Sequence, residues 1–139
     1  MDYEATIDIA TDPDRVWSTW IDVERWPEWT QSVVTARLLD DGEFGVGSRA
    51  RLKQPKLPAA VWQVTEAEPG RSFVWVTRSG GLTMIASHVV EPAAGGVTAQ
   101  LTFEITGPLS GLIARLLGKR IRTYLQMEAD GVKARSEER

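Results

Sequence analysis

The first stretch of the chain alternates. Tyr3, Ala5, Ile7 and Ile9 fall on one side, and Glu4, Thr6 and Asp8 on the other. A period of two predicts a strand with one buried face over Tyr3–Ala10. Thr11-Asp12-Pro13 stops it: Thr11 or Asp12 can cap a helix, with Pro13 in its first turn. Val16, Trp17, Trp20 and Ile21 follow at helical spacing, and a second short helical piece, Val23–Trp29, is interrupted by Pro27. From Ser32 strand character returns in Val33–Leu39, Ser48–Lys53, Val61–Glu68, Ser72–Thr77, Leu82–Glu91 and Val97–Ile105. The last of these alternates most cleanly, Val97, Ala99, Leu101, Phe103 and Ile105 against Thr98, Gln100, Thr102 and Glu104. Asp41-Gly42, Pro69-Gly70, Gly80-Gly81 and Gly95-Gly96 supply turn chemistry at the joints. Short joints favour an antiparallel meander, and no helical crossover lies between these strands to make a parallel sheet.

Gly107-Pro108 closes the last strand, and the periodicity predicts a helix of about 25 residues after it. On a helical wheel Ile113, Leu116, Leu117, Tyr124 and Met127 lie within about 80° of Leu109. Leu112 and Ile121 flank that stripe, while Gly111, Gly118, Arg115 and Arg122 fall opposite. One apolar and one polar face predict a helix laid against the sheet. The charged tail from Lys133, KARSEER, is expected to fray. The sum is an α+β domain over residues 1–139. A curved seven-stranded antiparallel sheet surrounds a long C-terminal helix, with two short helices after the first strand.

The chain has 139 residues, the size of one ordinary domain, and buries enough surface to hold a core without staples. It contains no cysteine and one histidine, so disulfides and zinc-thiolate sites are excluded and no metal site or cofactor is expected. The lack of cysteine, and a start without a signal-peptide pattern, agree with a cytoplasmic protein. Leu109–Leu117, broken by Arg115, is too short to span a bilayer, so no stable membrane insertion is expected. The formal charge is −3, with acids concentrated early and bases in the last helix. That is a dipolar surface rather than the footprint of a nucleic-acid binder. A monomer and a homodimer are equally compatible with the sequence.

The order strand, two short helices, six strands, long helix resembles the helix-grip fold of the START-like superfamily, which includes the polyketide cyclase/dehydrase and lipid-transport group. Asp12-Pro13-x-x-Val16-Trp17 looks like that family's first helix, and Asp22–Trp29, DVERWPEW, is similar to its second-helix signature. Glu66-x-x-Pro69-Gly70 looks like its mid-sheet turn. Glu91-Pro92, Gly95-Gly96 and Gly107-Pro108-Leu109 look like its last hairpin and helix start. The resemblance covers residues 3 to 135. It implies the fold, and with it a range of jobs: carrier, sensor, cyclase, hydratase or co-chaperone.

A sheet curled round a helix leaves a space, and such spaces are usually apolar with a few polar groups. Trp62 and Trp75 on neighbouring strands, Met84 and His88 four residues apart on one face of the next, Phe103, and Tyr124 on the helix are the expected lining. The competing reading is that these side chains fill a solid core. Arg120 falls about 20° from Leu109, inside the apolar stripe. It either binds an anionic oxygen of a ligand or snorkels past Leu116 or Tyr124 to the rim. His88 alone has an unperturbed pKa suited to proton transfer near neutrality, with Tyr124 as a second candidate; a structural core histidine is the alternative. Glu66 and Glu104 can pair with bases or face solvent. Gly42-x-x-x-x-Gly47-Ser48 lacks the lysine of a phosphate loop and reads as a hairpin. Trp17, Trp20, Trp26 and Trp29 are expected to pack the short helices over the sheet mouth. Lys53–Pro58, with two prolines, is placed to form a lip of a pocket or an ordinary stiff loop.

Three functions remain open. The first is a binder of a small hydrophobic, ring-containing molecule. The second is an enzyme of polyketide cyclase/aromatase or dehydratase type in the same cavity, with His88 or Tyr124 moving protons and Arg120 stabilising an enolate. The third is a stress-response or co-chaperone-like interaction module with a filled core.

Overall fold

A computed structural model describes residues 2–138. Strand β1 (Asp2–Ile9) is followed by α1 (Pro13–Ile21) and a 3₁₀ turn (Val23–Glu28). Six strands follow: β2 (Thr35–Leu38), β3 (Arg49–Lys53), β4 (Ala60–Glu68), β5 (Ser72–Ser79), β6 (Leu82–Ala93) and β7 (Gly96–Thr106). Helix α2 (Ser110–Glu137) ends the chain. The carboxylate of Asp12 accepts the Arg15 N–H at 2.9 Å, the N-cap expected before Pro13. Pro27 lies inside the 3₁₀ turn, which an α-helix of that length would not tolerate.

The strands form one antiparallel sheet in the order β1-β7-β6-β5-β4-β3-β2. This is the meander expected from the turn residues, with β1 added beside β7. Strands β1 and β2 therefore occupy opposite edges, and the two short helices carry the chain between them. A register shift between Val64 and Glu66 moves the buried face of β4 from Trp62 and Val64 to Ala67, and such a bulge bends the sheet. Gly107, at φ 108°, ends β7 where an added Cβ would stand 2.3 Å from the Gly81 carbonyl oxygen; only glycine fits that close turn into α2.

Two expectations about α2 bear comparison with the structure. The tail from Lys133, expected to fray, is helical: the helix runs to Glu137, Ser136 is buried, and only Arg139 of KARSEER lies outside the described residues. Glu137 accepts the Ala10 N–H at 2.8 Å, Lys133 donates to the Asp8 carbonyl at 2.9 Å, and Arg135 donates to Glu28 at 2.8 Å. These long-range partners hold charged turns that would be loose in isolation. The packed face is also only partly the expected stripe: Ile113, Leu117 and Tyr124 do face the sheet, but the most buried side of the helix is rotated away from the stripe's centre. Gly118, Ile121, Leu125, Ala129, Val132 and Ser136 are buried, while Leu109, Leu112 and Leu116 are exposed. Close approach to a neighbouring side chain or backbone requires small residues. An added Cβ on Gly118 would meet the Tyr3 hydroxyl at 2.9 Å, and one on Gly131 the Trp29 carbonyl oxygen at 2.1 Å. Steric closeness to β1 and the 3₁₀ turn, rather than summed hydrophobicity, sets the rotation of the helix.

Candidate functional site

The tight seam of α2 begins at Gly118. Before it, half-buried Ile113 and Leu117 face the inner side of the sheet across a cavity of about 430 Å³. Trp62 and Trp75 make one wall, with ring centroids 5.9 Å apart, and Phe103 stands 6.1 Å from Trp62. Met84, Leu82 and Ile121 add aliphatic surface, and Leu57 and Pro58 form the lip foreseen in Lys53–Pro58. That lip is fastened: the Tyr124 hydroxyl donates to the Pro55 carbonyl, and Lys53 donates to the Gln54 carbonyl at 2.8 Å and also to that of Leu57.

His88 is the polar end of the cavity. Alternation on β6 puts it on the inner face with Met84 and Ala86, at 2% exposure. Its ring stacks on Phe73, with centroids 4.2 Å and planes 9° apart. Trp20, Trp26 and Trp75 surround it at 5.3, 5.8 and 5.8 Å. Nε2 lies 2.9 Å from Oε1 of Glu128, on α2, whose side chain is 14% exposed. A carboxylate there selects the tautomer with the proton on Nε2. Among the described residues, Nδ1 of His88 and Nε1 of Trp20 are buried without a hydrogen-bond partner. A buried polar atom left without any partner costs about 1–3 kcal/mol, so Nδ1 is open to a hydrogen-bond donor from a ligand or a water.

Of the residues singled out in the sequence, Trp62, Trp75, Met84, His88, Phe103 and Tyr124 line this one cavity. Arg120 does not. It is half-buried and outside the lining, and among the described residues its side chain makes no ion pair or hydrogen bond. The rotation of α2 turns Leu112 and Leu116, and Arg120 with them, out of the cavity, while Ile113, Leu117 and Tyr124 of the same stripe stay in its wall. Glu66 and Glu104 are exposed. Sequence reasoning missed Glu128 and gave Trp20 and Trp26 only a packing role; both tryptophans are buried and enclose His88. The signal that could have found Glu128 was its place one turn after Tyr124, on the same helix face. The described residues contain no group of three or more His, Cys, Asp or Glu able to hold a metal. An imidazole–carboxylate pair at the end of an apolar cavity can orient a ligand hydroxyl or carbonyl, or carry a proton.

A family model described as polyketide cyclase / dehydrase and lipid transport matches residues 1–137. The chain belongs to this family. Among solved structures, the polyketide cyclase/dehydrase-type chain is similar to TTHA0849 from Thermus thermophilus, with 19% identity, a TM-score of 0.78, and coverage of 98% of this chain and 97% of that one. It is similar to a START superfamily protein from Mycobacterium smegmatis, with 14% identity, a TM-score of 0.74, and 96% and 97% coverage. It also matches the di-domain ARO/CYC StfQ from the steffimycin biosynthetic pathway at 15% identity and a TM-score of 0.78, covering 98% of this chain and 50% of that one. At these identities the likeness is one of fold: the helix-grip architecture of START-type proteins. No curated protein matches the sequence significantly. Among the described residues no helix is long and apolar enough to cross a membrane.

Proposed function

We propose that the chain binds a small hydrophobic, ring-containing molecule between the sheet and α2. The observation that carries this reading is the aromatic-walled cavity of about 430 Å³ closed at one end by His88 and Glu128. Flat aromatic walls favour a flat ligand, burial of its apolar surface supplies the affinity, and the polar pair fixes its orientation. An interaction module with a filled core fits less well, because the space is open. The cytoplasmic setting expected from the sequence goes with this reading. The test is calorimetric titration with polycyclic phenols, such as hydroxyanthraquinones, beside native mass spectrometry of the purified protein. Trp62→Ala should weaken binding by about tenfold or more, while Val61→Ala, on the exposed side of β4, should not. No saturable binding by any polycycle, together with no co-purified ligand, would remove the proposal.

The His88–Glu128 contact favours a second reading, a cyclase- or dehydratase-like enzyme in the same cavity. There the pair would move a proton on a chain held folded against the tryptophans. Glu128→Gln would then abolish turnover while leaving ligand affinity nearly unchanged. Loss of both together would return the pair to a binding role.

A further inference from the structure

We propose that the end of the molecule at which the cavity opens docks on an anionic lipid bilayer. The cavity reaches the surface between three segments: the β3–β4 loop (Pro58, Ala59), the β5–β6 turn (Ser79, Gly80) and the start of α2 (Leu109). None of residues 53–60, 77–84 or 107–127 is acidic, yet they carry Lys53, Lys56, Arg78, Arg115, Lys119, Arg120 and Arg122. Arg122 is committed to the Tyr3 ring, its Cζ 5.1 Å from the centroid. Arg78, Arg115, Lys119 and Arg120 make no ion pair among the described residues. The nearest strand acids, Asp2 and Glu104, alternate to the outer face of the sheet. Asp12, Asp14, Asp22, Glu24, Asp40, Asp41 and Glu43 belong to the opposite end, with α1, the 3₁₀ turn and the β2–β3 loop. In a chain of net charge −3, the cationic end is the end with the opening.

The same end projects Leu109, Leu112 and Leu116, at 46%, 54% and 67% exposure, spaced three and four residues apart on one helix face. Leucines flanked by lysine and arginine, with no acid among them, are what an interfacial helix presents to a headgroup layer. The leucines enter the acyl boundary, and the cations stay at the phosphates with their stems in the apolar zone. A folded acidic protein would engage one contiguous complementary patch. Leu112 and Leu116 line no described pocket, and the cations come from three segments around the opening rather than from one strip. In this orientation the mouth faces the membrane, and an apolar ligand passes between bilayer and cavity without crossing water.

The measurement is co-sedimentation of the full chain with phosphatidylcholine vesicles, with and without about 30 mol % phosphatidylglycerol. Binding should require the anionic lipid and fall as ionic strength rises. Lys119→Glu/Arg120→Glu should weaken it by about tenfold or more, and Leu112→Ser/Leu116→Ser by a similar factor. All four side chains lie outside the cavity lining, so hydroxyanthraquinone titration should be unchanged in both variants. Failure of docking and failure of the cavity reading are thereby separated. The proposal is overturned if wild type does not sediment with anionic vesicles, or if binding survives the leucine changes, which would assign adhesion to charge alone. It is equally overturned if the patch proves to be a self-association face, seen as a concentration-dependent dimer lost in the leucine variant, with no vesicle binding.

Discussion

His88, stacked on Phe73 and 2.9 Å from Glu128, joins the sheet to α2 through one polar contact inside an apolar enclosure. A buried donor that loses its acceptor costs about 1–3 kcal/mol, whereas replacing both partners by apolar groups of similar shape is close to neutral. Glu128→Leu should therefore destabilise the protein by about 1–3 kcal/mol in urea unfolding, and His88→Phe/Glu128→Leu should recover most of that loss. Equal stabilities of the single and double variants would show that the contact carries no weight. His88 was legible in the sequence as the one histidine, on the inward face of an alternating strand. Glu128 was not, because a carboxylate on a helix is by default a solvated residue. Only the depth at which α2 lies makes it a partner.

Helix α2 is the element whose orientation most departs from its own pattern. Counting large apolar residues favours the leucine side, yet Gly118, Ala129 and Ser136 are among the residues the helix buries. Two glycines separate the effects. Gly131→Ala places a Cβ 2.1 Å from the Trp29 carbonyl oxygen; displacing the 3₁₀ turn or the helix should cost about 1–3 kcal/mol, outweighing the gain in helix propensity. Gly111→Ala meets nothing within 4 Å and should stabilise by up to about 1 kcal/mol. Thermal denaturation of both variants decides it, and a stabilised Gly131→Ala would contradict the close packing. The same element carries its charged tail as helix to Glu137. The last turns of α2 are held by β1 and the 3₁₀ turn, partners more than a hundred residues away in sequence.

Over the whole molecule, surface ion pairs staple the termini and edges. Arg135 holds the Glu28 carboxyl below its ordinary range, Arg49 does the same for Asp40, and the Ala10 N–H, with Lys133, does so for Glu137. Each group binds a proton more readily unfolded than folded. Its contribution is therefore present above the ordinary carboxylate range and lost as pH falls through the lowered folded values. All three are solvent-exposed, so the effect should be modest and weakened by salt. Melting temperature should fall on acidification below that range, and Glu137→Gln should flatten part of the fall. A pH profile identical to wild type would exclude a role for its contacts with Ala10 and Lys133. Sequence by itself determined the strands, their meander, the two short helices, the long helix and most cavity walls. Period-two alternation, turn glycines and caps act over a few residues and need no distant partner. Tertiary structure alone decided which side of α2 faces inward, that Arg120 stays outside, and that Glu128 meets His88. Those outcomes depend on how near two backbones can approach, which is a property of pairs of elements and is written in neither one.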